Sequence, residues 1–269
     1  MTRLGIIGGG NMAEALVAGI VRAKLLDPSR ILISDVREER LEQLAKKYRV
    51  KTTRNNMEVA RENETVLIAV KPQHVKEVLD EISEVVGGHQ LIISIAAGIP
   101  IRMIERRLAR PAAVIRVMPN TPALVQEAAA GIALGSHAAD VHKEMVITLF
   151  NAIGVAVVID ESHMDAVTAL SGSGPAYVCL LIEGLVEAGV KEGLDPDVAR
   201  ELAVQTVYGT GRLLSQTAQD PAVLRAQVTS KGGTTEAALE VLGSRAWNQI
   251  LIEAVHAARV RAEELATSA

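Results

Sequence analysis

Apolar positions along this chain fall into two kinds of run, and the change from one to the other divides it. Up to about residue 160, short apolar runs at 4–7, 31–34, 66–70, 91–95 and 114–117 predict buried strands. Helical spacing fills the intervals between them. Residues 37–47 carry Leu41 and Leu44 on one face, and 75–86 set Val75, Val78, Leu79, Ile82 and Val86 at helical intervals. Strands alternating with helices predict an α/β class with a parallel, doubly wound sheet and ligands at the carboxyl ends of its strands. Beyond Asp160 the pattern is helical throughout. Asp195-Pro196 predicts an N-cap followed by proline at the first helical position, opening a helix to about Thr217. Asp220-Pro221 repeats the signal, and 247–265 is again helical.

The turn after the first strand gives this pattern a chemical meaning. Gly8-Gly9-Gly10-Asn11-Met12-Ala13 lies between a strand and a helix. Gly8 permits the tight turn, Gly10 lets backbone approach a pyrophosphate, and Ala13 allows close packing of helix on strand. The fold expectation is therefore a Rossmann-type dinucleotide-binding domain over 1–160 followed by an all-helical domain over 161–269. The helical half has faces rich in Leu180, Leu181, Leu185, Val186 and Val190. That much apolar surface predicts dimerisation through this half, with a self-contained bundle as the alternative.

Composition narrows the function. Hydrophobic residues are 49% of 269 but aromatics only 2%, so the core must be aliphatic. A net charge of −4 gives no global attraction for nucleic acid or an anionic membrane. Cys179 is the only cysteine, which excludes an internal disulfide; within its apolar run it reads as an inert core thiol. The six histidines are scattered without zinc-ligand spacing, so no metal is expected. No signal-like start and no apolar run of membrane-spanning length is read from the chain, which predicts a soluble, cytoplasmic protein.

Hydroxyl, amide and glycine clusters at element ends are the remaining candidates. Ala69-Val70-Lys71-Pro72 follows a strand, where Lys71 could meet a phosphate or ribose or point to solvent. Ser94-Ile95-Ala96-Ala97-Gly98 is small enough for a flat nicotinamide ring to approach. The run from Arg116 through Met118-Pro119-Asn120-Thr121-Pro122 combines an amide with two rigid turns. Ser171-Gly172-Ser173-Gly174-Pro175 reads equally as linker or site. Thr229-Ser230-Lys231-Gly232-Gly233-Thr234-Thr235 presents hydroxyls and backbone N–H groups before a helix, a cradle for a carboxylate.

With these clusters in this order, the chain resembles the pyrroline-5-carboxylate reductase family over nearly its full length. The resemblance implies reduction of 1-pyrroline-5-carboxylate to L-proline by hydride from NAD(P)H. It also implies a homodimer with interlocked helical domains, in some members assembled into rings such as decamers, and an active site between nucleotide domain and helices. It places Gly8, Gly10, Asn11 and Met12 at the pyrophosphate, Asn56 and Lys71 near ribose and phosphate, and Ala97 and Asn120 beside the nicotinamide. Ser230, Gly233, Thr234 and Thr235 are placed around the substrate. Lys231 departs from the family, which more often has proline there.

A protonated imine is already electrophilic, so position and electrostatics suffice and no catalytic histidine or carboxylate is needed. Thr235 is the expected catalytic residue, its hydroxyl bonding the ring nitrogen, while N–H groups around Gly233 and Thr234 hold the carboxylate. Asp35 closes the second strand where a carboxylate can accept a ribose 2′-OH of NADH. The resemblance sets Ser34 near a 2′-phosphate and Arg37 could neutralise one, which favours NADPH with NADH tolerated. Two other readings stay open: a related β-hydroxyacid dehydrogenase or imine reductase, and a nucleotide sensor without turnover. The first long helix of the second half has only Lys191 near its end, which argues against the dehydrogenases.

Overall fold

The computed structural model describes residues 3–268. They cluster into two compact units, one running to Ser173 and resuming at Ala257, the other Gly174–His256. This division falls later than the composition change near residue 160. Helical residues just after the last strand, including the buried Met164 and Ala169, pack with the sheet unit.

The first unit begins β1 (Leu4–Ile7), α1 (Asn11–Arg22), β2 (Ile31–Ser34), α2 (Glu38–Tyr48), β3 (Lys51–Thr53), α3 (Asn56–Glu62) and β4 (Thr65–Ile68). It continues α4 (Val75–Ile82), β5 (Leu91–Ser94), α5 (Ile101–Arg107), β6 (Ala113–Met118), β7 (Ala128–Leu134), α6 (Asp140–Asn151), β8 (Gly154–Val158) and α7 (Met164–Val167). One sheet joins the strands in the order β3-β2-β1-β4-β5-β6-β7-β8, parallel throughout except for the antiparallel pair β6–β7. The order reverses between β1 and β4, and an open parallel sheet binds ligands at such a switch point.

The two-residue period of the strands sorts the core into two layers. Leu4, Ile6, Ile31, Ile33, Leu67, Leu91, Ile93 and Ile115 meet α1 and α6 on one face, where Phe150, the only phenylalanine, is fully buried. Ile7, Leu32, Val66, Ile68, Ile92 and Val114 face α3, α4 and α5 on the other. All five expected strands are present. Three more are added: β3 is polar and lies at the sheet edge, β7 reads Ala-Ala-Ala-Gly-Ile-Ala-Leu without the usual β-branched run, and β8 is an edge with exposed Val155 and Val157. Pairing with neighbours, rather than local propensity, makes these segments strands.

The second unit holds α8 (Gly174–Lys191), α9 (Pro196–Thr217), α10 (Pro221–Gln227), α11 (Thr234–Ser244) and the first part of α12 (Trp247–Ser268), whose end belongs to the first unit. Asp195 and Asp220 cap α9 and α10 as their Asp-Pro pairs predict, accepting from the N–H groups of Asp197 at 2.9 Å and Ala222 at 2.7 Å. Two expectations are corrected here. Cys179 is exposed on α8 rather than a core thiol, because Val178, Leu180 and Leu185 around it are exposed as well. The helical stretch Glu161–Lys191 is long and apolar enough to cross a membrane, where the sequence reading finds no such run. The serine and glycine residues at 171–174 read by sequence equally as a linker or a site. They instead lie within this helical stretch, with Thr168–Gly172 forming a π turn closed by Ser173 N–H on the Thr168 carbonyl at 2.8 Å.

Candidate active site

The connection from β1 to α1 consists of Gly8, Gly9 and Gly10 alone. Gly8 holds φ at +99°, and a Cβ there would lie 2.8 Å from the Ala69 carbonyl oxygen, so any other residue is excluded twice over. Its N–H donates to the Ser34 carbonyl at 2.8 Å, and Ala69 N–H donates to Ile7 at 2.8 Å, pinning the turn between β2 and β4. Gly10 is the N-cap of α1, and a Cβ there would meet nothing within 4 Å. The N–H groups of Asn11, Met12 and Ala13 have no carbonyl in a preceding turn, so the positive end of α1 opens onto free space. Exposed Asn11 borders that space, while Met12 packs against the core. An open cradle of backbone donors fits the pyrophosphate of a dinucleotide.

Asp35 directly follows β2. Its Oδ2 accepts from Gly9 N–H at 2.8 Å, and its Oδ1 accepts from Arg37 N–H at 2.9 Å and Arg37 Nε at 3.1 Å. Burial pushes the carboxyl upward, but the Arg37 guanidinium and the two backbone N–H groups outweigh it and hold the carboxyl below its usual range. Asp35 is therefore an anion already neutralised by Arg37, whose own side chain is 63% exposed. Ser34 is buried, contrary to the expectation that its hydroxyl faces a phosphate. That hydroxyl donates to Asn56 Oδ1 at 2.7 Å, and Asn56 Nδ2 donates to Glu81 at 2.7 Å. Ser34 thus orients Asn56 at the start of α3.

The sequence reading missed Arg40 and Glu14. Arg40, on α2, donates from Nε to the Gly9 carbonyl at 2.6 Å and from Nη2 to Glu14 at 2.5 Å. Lys47 Nζ and Tyr48 Oη also donate to Glu14, at 2.8 and 3.0 Å. The Lys47 hydrogen bond, with those of Arg40 and Tyr48, prevails over burial and brings the Glu14 carboxyl down to about 2. Helical spacing shows only that Arg40 is a polar position; the separation of 31 positions from Gly9 hides the contact.

At the ends of the next strands, Ala69 and Val70 are half-buried and Lys71 is exposed. Ala97 is half-buried beside Gly98, whose φ is +71°. Asn120, expected to present its amide to a ring, is buried with that amide engaged. Nδ2 donates to the Ser171 carbonyl and Oδ1 accepts from Ala129 N–H, each at 2.9 Å.

The loop before α11 belongs to the second unit. Gly232 takes φ +71°, and its N–H donates to Glu236 Oε2 at 2.6 Å. Gly233 N–H donates to the Ser230 carbonyl at 3.0 Å, and a Cβ on Gly233 would collide with Ser230 Oγ. Gly233 therefore shapes the turn but does not offer its N–H, which moves the expected cradle to the N–H groups of Thr234 and Thr235, the first residues of α11. Thr235 is half-buried; Lys231 is exposed.

Comparison with known proteins agrees with both halves. The family model described as pyrroline-5-carboxylate reductase dimerisation matches residues 161–265, and that described as NADP oxidoreductase coenzyme F420-dependent matches 3–98. A pyrroline-5-carboxylate reductase of Synechocystis is 42% identical over 265 residues, 98% of each chain. Among solved structures, a pyrroline-5-carboxylate reductase from Coxiella burnetii superposes with a TM-score of 0.95 at 36% identity, covering 98% of both chains. A Plasmodium falciparum pyrroline carboxylate reductase with NADP bound gives 0.86 at 31%, again over 98% of both.

Proposed function

The chain belongs to the pyrroline-5-carboxylate reductase family, and on that premise we propose which of its residues carry the reaction. The enzyme reduces 1-pyrroline-5-carboxylate to L-proline with NAD(P)H, the last step of proline biosynthesis, and is a homodimer. We assign 1–160 to the cofactor and 161–269 to substrate and dimer. Support for that boundary comes from the dimerisation family model, which begins at residue 161.

Gly8, Gly10, Asn11 and Met12 hold the pyrophosphate, Asn56 and Lys71 the ribose and phosphate groups, and Ala69, Val70, Ala97 and Asn120 border the nicotinamide. When bound, the reduced nicotinamide supplies a hydride to the imine carbon. The observation that carries the substrate assignment is the open first turn of α11, where the N–H groups of Thr234 and Thr235 face no carbonyl of a preceding turn. These donors hold the carboxylate, with Ser230 beside them. Thr235 Oγ1 accepts a hydrogen bond from the protonated ring nitrogen and fixes which face of the ring is presented. The proton is already on that nitrogen in the reactive iminium form, so positioning and charge complementarity replace a general acid. Steady-state oxidation of NADPH by 1-pyrroline-5-carboxylate in wild type and Thr235→Ala tests this; undiminished turnover and affinity in the variant would remove Thr235 from the mechanism.

NADPH is the preferred cofactor. Asp35 is neutralised by Arg37 and offers no bare carboxylate to repel a 2′-phosphate, and exposed Arg37 supplies positive charge. The Plasmodium relative's bound NADP supports the same choice. The apolar face of α8 belongs against the partner subunit rather than a bilayer, since the dimerisation family model spans this helix and the helix also carries Glu183, Glu187 and Lys191. The net negative charge supports a protein without nucleic-acid partners. A cytoplasmic enzyme, in which dimers assemble into a ring such as a decamer, completes the proposal; light scattering on a sizing column measures the assembly.

A further inference from the structure

Arg40, on α2, grips the carbonyl side of the glycine turn. Its Nε donates to the Gly9 carbonyl at 2.6 Å, and its Nη2 reaches both the Gly10 carbonyl at 3.4 Å and Glu14 at 2.5 Å. The side chain is 16% exposed, so this fork is held by packing as well as by charge. In a trans peptide the C=O and N–H of one plane point in opposite directions. Drawing the Gly9 carbonyl towards α2 therefore turns the Gly10 N–H the other way, whereas the Gly10 carbonyl is set by α1 itself, accepting from Glu14 N–H at 3.0 Å.

We propose that Arg40 is a positioning residue for the cofactor: it fixes the Gly9 carbonyl so that the opposite N–H, that of Gly10, is aimed at the pyrophosphate before it arrives. Glycine is the residue least able to hold such an orientation by itself, because its backbone has no Cβ to restrict it. Glu14 is the second anchor. It lies one turn into α1 and pairs with Arg40, while Lys47 and Tyr48 fix its other oxygen. A lysine at 40 would keep the charge but lose the planar fork that reaches carbonyl and carboxylate together.

This inference rests on the assignment of the turn to the cofactor's pyrophosphate, and its test separates the two. Dissociation constants for NADPH and for adenosine 2′-monophosphate, which has no pyrophosphate, are measured by titration calorimetry on wild type, Arg40→Met and Arg40→Lys, with circular dichroism to establish folding. Arg40→Met should weaken NADPH by about tenfold, with adenosine 2′-monophosphate held within about twofold and kcat at saturating NADPH similarly unchanged. Arg40→Lys should lose about threefold or more for NADPH and nothing for the monophosphate, and carries the test if the methionine variant does not fold. Unchanged NADPH affinity in a folded variant, or equal weakening of both ligands, overturns the role of Arg40. Wild type that binds the monophosphate but gains nothing from the pyrophosphate overturns the assignment of the turn, and the proposal with it.

Discussion

Asn120 and Ser171 are joined by a 2.9 Å hydrogen bond from the Asn120 amide to the Ser171 carbonyl, and the reason for the bond lies four residues further along the chain. Residue 175 is proline, which has no N–H to give to the carbonyl four positions back. Asn120 supplies the missing donor, and its oxygen simultaneously takes the N–H of Ala129 at the start of β7. One buried amide thus secures the π turn and the strand together.

Replacing Asn120 by alanine should destabilise the protein by about 1 kcal/mol, since the half-buried Ser171 carbonyl and the Ala129 N–H each lose a partner from a buried amide and can only in part turn to water. Pro175→Ala would restore a donor to Ser171, so the double variant should lose less than the sum of the two single losses. Urea denaturation of all four proteins measures the coupling; additive losses would show that Pro175 does not create the need for Asn120.

Thr235→Val removes the hydroxyl but keeps the shape, and kcat/KM for 1-pyrroline-5-carboxylate should fall by about tenfold or more while NADPH affinity is unchanged. Thr235→Ser should recover most of that loss. A serine variant as impaired as the valine variant would mean that the methyl group, rather than the oxygen, matters.

Arg37→Ala strips Asp35 of its counter-charge and removes an exposed cation from the end of β2. The ratio of kcat/KM for NADPH over NADH should drop by about tenfold. An unaltered ratio would move cofactor choice to other residues.

The Glu14 carboxyl titrates at about 2 in the folded protein against an ordinary 4.5, because Lys47, Arg40 and Tyr48 all donate to it. A depressed folded-state value means that the network stabilises the protein above about pH 4.5 and that this stabilisation is lost as pH falls towards 2. The contribution is about 1–2 kcal/mol after allowance for solvent around Lys47. Denaturation midpoints between pH 6 and 3 should fall less steeply for Glu14→Gln than for wild type; parallel slopes would dismiss the network.

Much of this architecture is legible in local sequence patterns. The five buried strands follow from short apolar runs, the starts of α9 and α10 from Asp195-Pro196 and Asp220-Pro221, and the glycine connection from three successive glycines, of which Gly8 sits at φ +99°. Sequence separation concealed the rest. Nothing near Ala128 marks β7 as a strand until β6 and β8 flank it, and the π turn at Thr168–Gly172 resembles a linker until Asn120 reaches it.

Residue order alone settles the α/β alternation, the helical second half, the nucleotide turn and the family resemblance, because periodicity, capping and glycine requirements act over a few neighbouring residues. Tertiary structure alone decided that Ser34 is buried behind Asn56, that the Gly233 N–H closes a turn on Ser230, and that Arg40 grips the Gly9 carbonyl. Those are choices of hydrogen-bond partner. A donor takes whichever acceptor the fold brings within about 3 Å, and for Ser34 and Arg40 that acceptor lies tens of residues away.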